Sequence, residues 1–311
     1  MKKMINKVHI EGWVYDHKLT SKVAGEKAKN PGVTFINGTV DIATDDNCLN
    51  IVTIHYSYVT PVTKQNKPNA TFNALNSILT DNKTVVKVGK ENAVKVRADT
   101  SIGLNEFYSD RSGKEELVSA KRNEGGFIHI ITDALSEKDT DRNNWEADTV
   151  VTKVREIEAD PERNLPAKVV ISGYMFDFKN ALLPVDVVAY KESAQNYFLG
   201  LEASESNPTF IKLKGQQVSQ VIIRTVTEES AFGDEPDVKE FKNTVREFVV
   251  TGALPPYEWD SEESITAQEM KEALASREIT KAEIKQRQDE YNASRSTKAP
   301  AAAATEGEYH F

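Results

Sequence analysis

Two stretches of twelve residues in this chain follow one order of residue types. Residues 7–18 and 168–179 both fit Lys-Val-x-Ile-x-Gly-aromatic-apolar-aromatic-Asp-x-Lys, and they begin 161 residues apart. A shorter echo follows each copy, because residues 31–38 and 208–215 both carry Thr-Phe-Ile between an opening Pro and a closing Gly. Internal repetition constrains a fold before other features do, since each copy must form a similar unit. We therefore predict two related β-modules, each opened by a strand that presents aromatic and lysine side chains.

Length and composition agree with this division. A chain of 311 residues has room for about two domains. Its hydrophobic fraction of 39% and charged fraction of 28% are typical of a globular protein. No apolar run approaches the roughly 18 residues that a membrane span needs. Cys48 is the only cysteine, so an intramolecular disulfide is excluded, and the setting expected for such a chain is cytoplasmic.

The net charge of −9 conceals a gradient along the chain. Residues 1–97 carry +6, residues 98–226 carry −6 and residues 227–311 carry −9. A polyanion would be attracted to the first segment and repelled by the last. Ordinary variation of surface charge is the alternative explanation, and the gradient alone does not separate the two.

Alternating apolar residues in the first module predict five strands and one short helix. The strands are expected at residues 7–16, 33–44, 49–59, 93–99 and 127–131. The helix, residues 71–79, falls between the third and fourth strands. Three strands, a short helix and two further strands is the element order of an OB-fold barrel.

The rest of the chain predicts a second OB-like module and a short helical region. A strand at residues 149–157 leads into the second module, whose own strands are expected at residues 168–177, 185–190, 209–214, 218–227 and 240–251. An acidic hairpin loop is expected at residues 228–237. The predicted domains are residues 1–145, 146–254, a helical hairpin at 255–293 and a disordered acidic tail at 294–311.

Two matching helix-start signals support the helical hairpin. Thr266 with Glu269, and Thr280 with Glu283, each form the capping-box pattern that satisfies the free N–H groups of a helix start. They predict one helix at residues 267–276 and a second at 281–293. We interpret the pair as a hairpin docked on the barrels, with a partner-binding element as the alternative.

Catalytic and metal-binding patterns are absent from the sequence. Neither Gly89-Lys90 nor Gly113-Lys114 has the upstream Gly and the following Ser or Thr of a phosphate-binding loop. The five histidines are scattered, and no Cys/His group has zinc spacing. We therefore expect a protein that is not an enzyme and that needs no metal or cofactor.

Aromatic and basic residues instead indicate single-stranded nucleic acid, which is bound by stacking faces and by cations along the backbone. Strand alternation places Trp13, Tyr15 and His17 on one face of the first strand, opposite Val14. That face would form a stacking platform, unless module packing or the helical hairpin covers it. Further aromatic rows and neighbouring cations complete the candidate site: Lys18, Lys22, His55, Tyr56, Tyr58, Lys64, Lys67, Arg97, Phe107 and Tyr108.

At this point the chain resembles phage-type single-stranded DNA-binding proteins of the OB-fold class. Residues 5–14 are similar to the first strand of bacterial members, and residues 35–59 are similar to the hairpin that follows it. The end of the chain resembles the family's acidic, aromatic-tipped tail, which recruits partner proteins. This likeness implies a docking role for four residues: Glu306, Glu308, Tyr309 and Phe311. The chain departs from the family in having two modules and in carrying His310 where Pro is common.

These features together predict a protein that coats single-stranded DNA with little sequence preference during phage-type replication or recombination. The expected partners are the DNA and the replication or recombination proteins met by the tail, and the expected location is cytoplasmic, in the host if the protein is viral. A homo-oligomer is left open. The alternative is a viral structural or assembly β-protein that binds no nucleic acid, which would need neither the front-loaded positive charge nor the aromatic stripe.

Overall fold

The structure of the protein is a computed structural model. It describes residues 3–26, 28, 30–111, 113–161, 165–228, 237–258, 261–262 and 264–296, of which 222–228, 237–243 and 294–296 are described by their backbone alone. Most of the predicted acidic loop lies outside the described residues. So do the four candidate docking residues: Glu306, Glu308, Tyr309 and Phe311.

The first half of the chain forms a five-stranded ring, here called barrel 1. Its strands are β1 (Asn6–His17), β3 (Thr34–Ala43), β4 (Ile51–Val59), β5 (Lys95–Ser109) and β6 (Glu116–Ile131). They pair in the closed order β1-β3-β4-β6-β5-β1, and only the β4–β6 pair of this ring is parallel. The short strand β2 (Thr20–Val23) pairs with β3. Helices α1 (Ala70–Asp81) and α2 (Val85–Val88) lie between β4 and β5, as the OB-like order requires.

A second ring, barrel 2, repeats this arrangement. Its strands are β7 (Asn143–Ile157), β8 (Lys168–Phe176), β9 (Leu182–Ala189), β10 (Thr209–Glu228) and β11 (Asp237–Ala253), and the short helix α3 (Asp139–Arg142) precedes them. They close in the order β7-β8-β9-β11-β10-β7, again with one parallel pair, β9–β11. Helix α4 (Glu192–Leu199) follows the third strand. The predicted fold class, mainly β with two related OB-like barrels, is confirmed.

The sequence repeat does not mark the same position in the two barrels. Strand β1 is the first of its ring, whereas β8, which carries the second copy, is the second of its ring and follows β7. Both copies place their shared glycine at a close approach of a neighbouring strand. A Cβ on Gly12 would lie 2.0 Å from the Ala43 carbonyl oxygen, and one on Gly173 would lie 2.0 Å from that of Val150. In both copies the glycine therefore lies where the backbone of a neighbouring strand leaves no room for a side chain. The motif does not mark the same strand position in the two barrels.

Barrel 2 also has one strand where two were predicted. Residues 209–214 and 218–227 belong to the single strand β10, and the register shift at Lys214 and Gly215 accommodates the break in the pattern. The barrels themselves are joined because β1 pairs with β7, from Asn6 opposite Ala147 to Ile10 opposite Asn143. One buried apolar cluster runs through both rings.

The predicted helical hairpin is wrong, because α5 is one continuous helix, Ala267–Ser296. The first capping box forms as expected: the Thr266 backbone N–H donates to Glu269 Oε2 at 3.0 Å, and the Glu269 N–H donates to Thr266 Oγ1 at 3.1 Å. In the second, Thr280 Oγ1 instead donates to the Ser276 carbonyl at 3.1 Å, inside the helix. Neither Gly nor Pro stands between the two boxes to end a helix.

Helix α5 continues through Ser296, three residues into the segment predicted as a tail, and the rest of that segment lies outside the described residues. Among the described residues, no helix combines the length and apolar character that would let it cross a bilayer.

Candidate nucleic-acid interface

The predicted aromatic stripe on β1 is interrupted by a β-bulge. Val14 is buried and Trp13 and Tyr15 are half-buried on the opposite side, as alternation predicts. The register then shifts between Val14 and Asp16, so that His17 pairs with Val40, whose side chain is fully buried. Directly paired residues point to the same face. The prediction that His17 shares the face of Trp13 is therefore wrong, because one extra residue reverses the alternation.

Two cations already lie over the Trp13 ring. Lys90 Nζ is 4.3 Å and the Arg142 guanidinium carbon 5.6 Å from the ring centroid. Asp46 holds both cations, at 3.6 Å from Lys90 Nζ and 3.0 Å from Arg142 Nη1, and its bond to Arg142 lowers the pKa of Asp46. A base could stack on Trp13 only after displacing one of these groups.

The neighbouring part of the β1 outer face is also covered. Glu11 is buried and pairs with Arg97, whose Nε lies 3.1 Å from Glu11 Oε2. The Ser136 backbone N–H donates to Glu11 Oε1 at 2.6 Å. Burial would raise the pKa of Glu11, but the Ser136 and Arg97 hydrogen bonds outweigh it and hold the pKa below its ordinary value. Arg97, predicted to contact DNA, is therefore engaged by a buried carboxylate.

Strand β4 separates the two tyrosines that the sequence placed together. Tyr56 is only 3% exposed and lies in the core, where burial raises the pKa of its hydroxyl. Its predicted role in binding is not compatible with this position, because the ring cannot reach a ligand. Tyr58 is 45% exposed. Between the pairs Gly38–Tyr56 and Ile36–Val59, β4 has one residue more than β3, and this bulge turns Tyr58 outward.

Tyr58 forms an aromatic surface with a residue that sequence analysis did not select. Its ring centroid lies 4.5 Å from that of Phe35, with the planes tilted by 35°. Phe35 pairs directly with Lys22 of β2, so the lysine lies on the same face. We call Lys22, Phe35 and Tyr58 the aromatic platform.

Lys64 and Lys67 are exposed on the loop that follows β4. This loop is closed by a Val62–Pro68 bridge and by a 2.8 Å hydrogen bond from the Thr63 N–H to the Lys67 carbonyl. Both predicted lysines therefore extend from a defined turn that begins at Val62, four residues after Tyr58.

A groove of about 430 Å³ lies between the two barrels, beyond the platform on the same β3–β4 face. We call it the inter-barrel groove. Barrel 1 lines it with Lys18, Thr39, His55 and Arg122, and barrel 2 lines it with Arg246. The pKa of His55 is lowered, chiefly by burial and then by the Arg122 cation.

Helix α5 covers part of the third predicted group. The Tyr108 N–H donates to Gln288 Oε1, and Gln288 Nε2 donates to the Tyr108 carbonyl, both at 2.7 Å. Lys285 Nζ lies 5.5 Å from the Tyr108 ring centroid. Phe107 remains 41% exposed beside it. The Tyr108 backbone is thus satisfied by the helix.

Sequence analysis missed Phe35, Arg122 and Arg246. Phe35 lies in the repeated Thr-Phe-Ile segment, directly before the buried Ile36. Neighbouring residues of a strand point to opposite faces, so alternation was the signal that could have placed the Phe35 ring outward. No sequence signal brings Arg246 to Lys18, because their proximity depends on how the barrels join.

The fold and these surfaces define a tandem OB-like barrel protein with an outward aromatic platform and a groove between its barrels. The chain belongs to the YorF family, whose model matches residues 4–287. No curated protein matches it.

Two solved structures of the single-stranded DNA-binding protein from Thermus aquaticus are similar to the chain. The wild-type protein has 9% identity and a TM-score of 0.44, covering 85% of this chain and 98% of its own. A deletion mutant has 10% identity and the same TM-score, covering 85% and 100%.

Proposed function

We propose that this protein binds single-stranded DNA through the outer β3–β4 face of barrel 1. The observation that carries the proposal is the aromatic platform, in which the paired rings of Phe35 and Tyr58 stand outward beside Lys22. Oligonucleotides bind to OB folds on the face of the second and third strands, which are β3 and β4 here. Outward aromatic rings on that face are available to unpaired bases.

Stacking and counterion release supply the affinity. Each stacked base contributes about 1–3 kcal/mol, and any base can stack because every base has a π-face. Lys22 lies in the platform, and Lys64 and Lys67 are exposed on the loop that follows β4, so three cations are available to phosphates on this side of barrel 1. Each phosphate neutralised releases counterions, so binding weakens as salt rises. The site therefore favours single strands over duplex and has little sequence preference.

Barrel 2 offers no equivalent platform on its own second and third strands. The outward pairs there are Ser172 with Asp186 and Tyr174 with Pro184. Tyr174 packs against the cluster that holds Ile265 and Met270 at the start of α5. Coating of single strands in phage-type replication or recombination, and recruitment of partner proteins by residues 306–311, are part of the same proposal and are supported by the sequence.

A titration of the whole protein against fluorescent single-stranded and double-stranded oligonucleotides at two salt concentrations tests the proposal. We expect tighter binding to the single strand and a steep loss at the higher salt. Equal affinity for both forms, or no binding to either, would favour the structural or assembly role instead.

Matched variants locate the surface. Tyr58→Ala removes one ring of the platform and should weaken single-strand binding by about tenfold, from a stacking contribution of about 1–3 kcal/mol. Phe178→Ala is the control, because Phe178 is 74% exposed but lies on the turn after β8 of barrel 2. If Tyr58→Ala binds single strands as tightly as the unaltered protein and the Phe178→Ala control do, the platform is not the binding site.

A further inference from the structure

We propose that the inter-barrel groove binds the sugar-phosphate backbone of the same DNA strand, so that the two barrels hold one strand jointly. This inference rests on the proposed function and extends its site to a surface that neither barrel has alone. Basic side chains from both barrels meet in the groove: Lys18, Lys121, Arg122 and Arg246.

The groove continues directly from the aromatic platform. On β3, Phe35 of the platform and Thr39 of the groove are four residues apart, which is about 13 Å along a strand. That distance corresponds to roughly four stacked nucleotides at 3.4 Å each. A strand that stacks on Phe35 and Tyr58 can therefore reach His55 and Thr39 without a turn.

Arg246 is oriented toward barrel 1 by the register of the β10–β11 pair. It pairs with Ser219, and two residues further on Phe248 pairs with Gln217. Residues two apart on a strand share a face. Phe248 is contacted by Lys121 of barrel 1, whose Nζ lies 5.6 Å from the ring centroid. Arg246 therefore projects from barrel 2 along the wall of the groove, and it is exposed.

The acidic groups that line the groove are already engaged. Thr53 Oγ1 donates to Asp41 at 2.6 Å, while Lys168 and the Tyr190 hydroxyl both donate to Glu247. Lys121 is also engaged, because its Nζ donates to the Asp186 carbonyl. Lys18 and Arg246 are the exposed cations of the groove. A DNA strand that lies in the groove would bring its phosphates to both of them.

The test compares oligothymidylates of about three and about sixteen nucleotides, the first too short to extend from the platform to the groove and the second at the upper end of the site size of one OB fold. Arg246→Gln should leave binding of the short strand unchanged. For the long strand it should weaken binding about threefold or more and reduce the slope of log affinity against log salt by about 0.7, the value for one phosphate contact on a single strand. Arg155→Gln, an exposed arginine of β7 that does not line the groove, is the control and should change neither.

The outcomes separate the two proposals. If the unaltered protein binds neither strand, the proposed function fails. If it binds both and Arg246→Gln keeps the long-strand affinity and slope, only the groove proposal fails. If Arg246→Gln lost the same affinity for both lengths, the groove proposal would also fail, because the contact would then not lie beyond the platform. It would fail too if Arg155→Gln lost as much affinity for the long strand as Arg246→Gln.

Discussion

The side-chain amides of Asn123 and Gln217 bind each other reciprocally across the junction of the two barrels. Asn123 Nδ2 donates to Gln217 Oε1 and Gln217 Nε2 donates to Asn123 Oδ1, both at 2.9 Å, and both residues are buried. Asn143 binds the Gln217 backbone, donating to its carbonyl at 2.7 Å and accepting from its N–H at 3.2 Å. A buried network of this kind is stable only when every group is satisfied, so it fixes how barrel 2 sits on barrel 1.

Replacing Gln217 with Ala should lower the free energy of unfolding by about 1–3 kcal/mol. The substitution leaves the Asn123 amide buried without its partner, and such a group costs about that much. Urea denaturation measures the change, and Gln220→Ala, an exposed glutamine of the same strand, is the control. A loss no larger than that of the control would show that the amide pair does not hold the barrels.

Acid should weaken the covered face of β1 through Glu11. Because its pKa in the folded protein lies below the ordinary value of 4.5, the ionised Glu11 stabilises the fold above that pH, and this contribution is lost as the pH falls through the folded pKa. Glu11→Gln should therefore be less stable than the unaltered protein by about 1–2 kcal/mol at neutral pH.

The stability gap between the two proteins should close in acid. Thermal denaturation of both between pH 7 and pH 3 follows the gap, and Glu116→Gln, at an exposed position, is the control. A gap that stays constant over this range would contradict the assignment, because the lost interaction would then not depend on the charge of Glu11.

Helix α5 should detach from the β5–β6 hairpin when its buried ion pair is broken. Arg277 binds Glu106 with both terminal nitrogens, and both side chains are buried. Removing one partner of a buried pair costs about 3–5 kcal/mol, because a charge is left unpaired. Arg277→Ala should therefore increase hydrogen exchange in the distal half of α5 and at Tyr108, whereas Arg287→Ala, an exposed arginine of the same helix, should not.

Exchange that stays slow in Arg277→Ala would assign the docking of the helix to its apolar start, where Ile265 and Met270 are buried.

Trp13 should matter more for stability than for DNA binding. Its ring holds Lys90 and Arg142 in place, so Trp13→Ala should lower the unfolding free energy by about 1–3 kcal/mol. The folded variant should keep its affinity for single strands within about twofold, since the platform of Phe35 and Tyr58 is untouched. Calorimetry and the fluorescence titration measure the two effects. A tenfold loss of affinity in a variant of normal stability would return Trp13 to the binding site.

The sequence was sufficient to predict the order of elements in barrel 1 and the inward and outward faces of most strands. Val8, Ile10 and Val14 are buried as alternation requires, and the first capping box begins α5 at the expected residue. These features depend on local periodicity and local hydrogen bonds, which neighbouring residues determine.

The misplaced site residues have a different physical origin. One extra residue in β1 and one in β4 reverse the alternation, so His17 turns inward and Tyr58 turns outward. A bulge is a property of the paired strand, and neither strand shows it alone. Lys22 reaches Phe35 only through the pairing of β2 with β3, and Arg246 reaches the groove only because the two barrels join as they do.

Photocrosslinking locates the bound strand most directly. A single-stranded oligonucleotide carrying 5-iodouracil is irradiated on the unaltered protein, and the crosslinked peptides are mapped. The account predicts crosslinks at Phe35 and Tyr58, on the outer β3–β4 face of barrel 1. Crosslinks confined to barrel 2, or to Trp13 with none on β3 or β4, would contradict it.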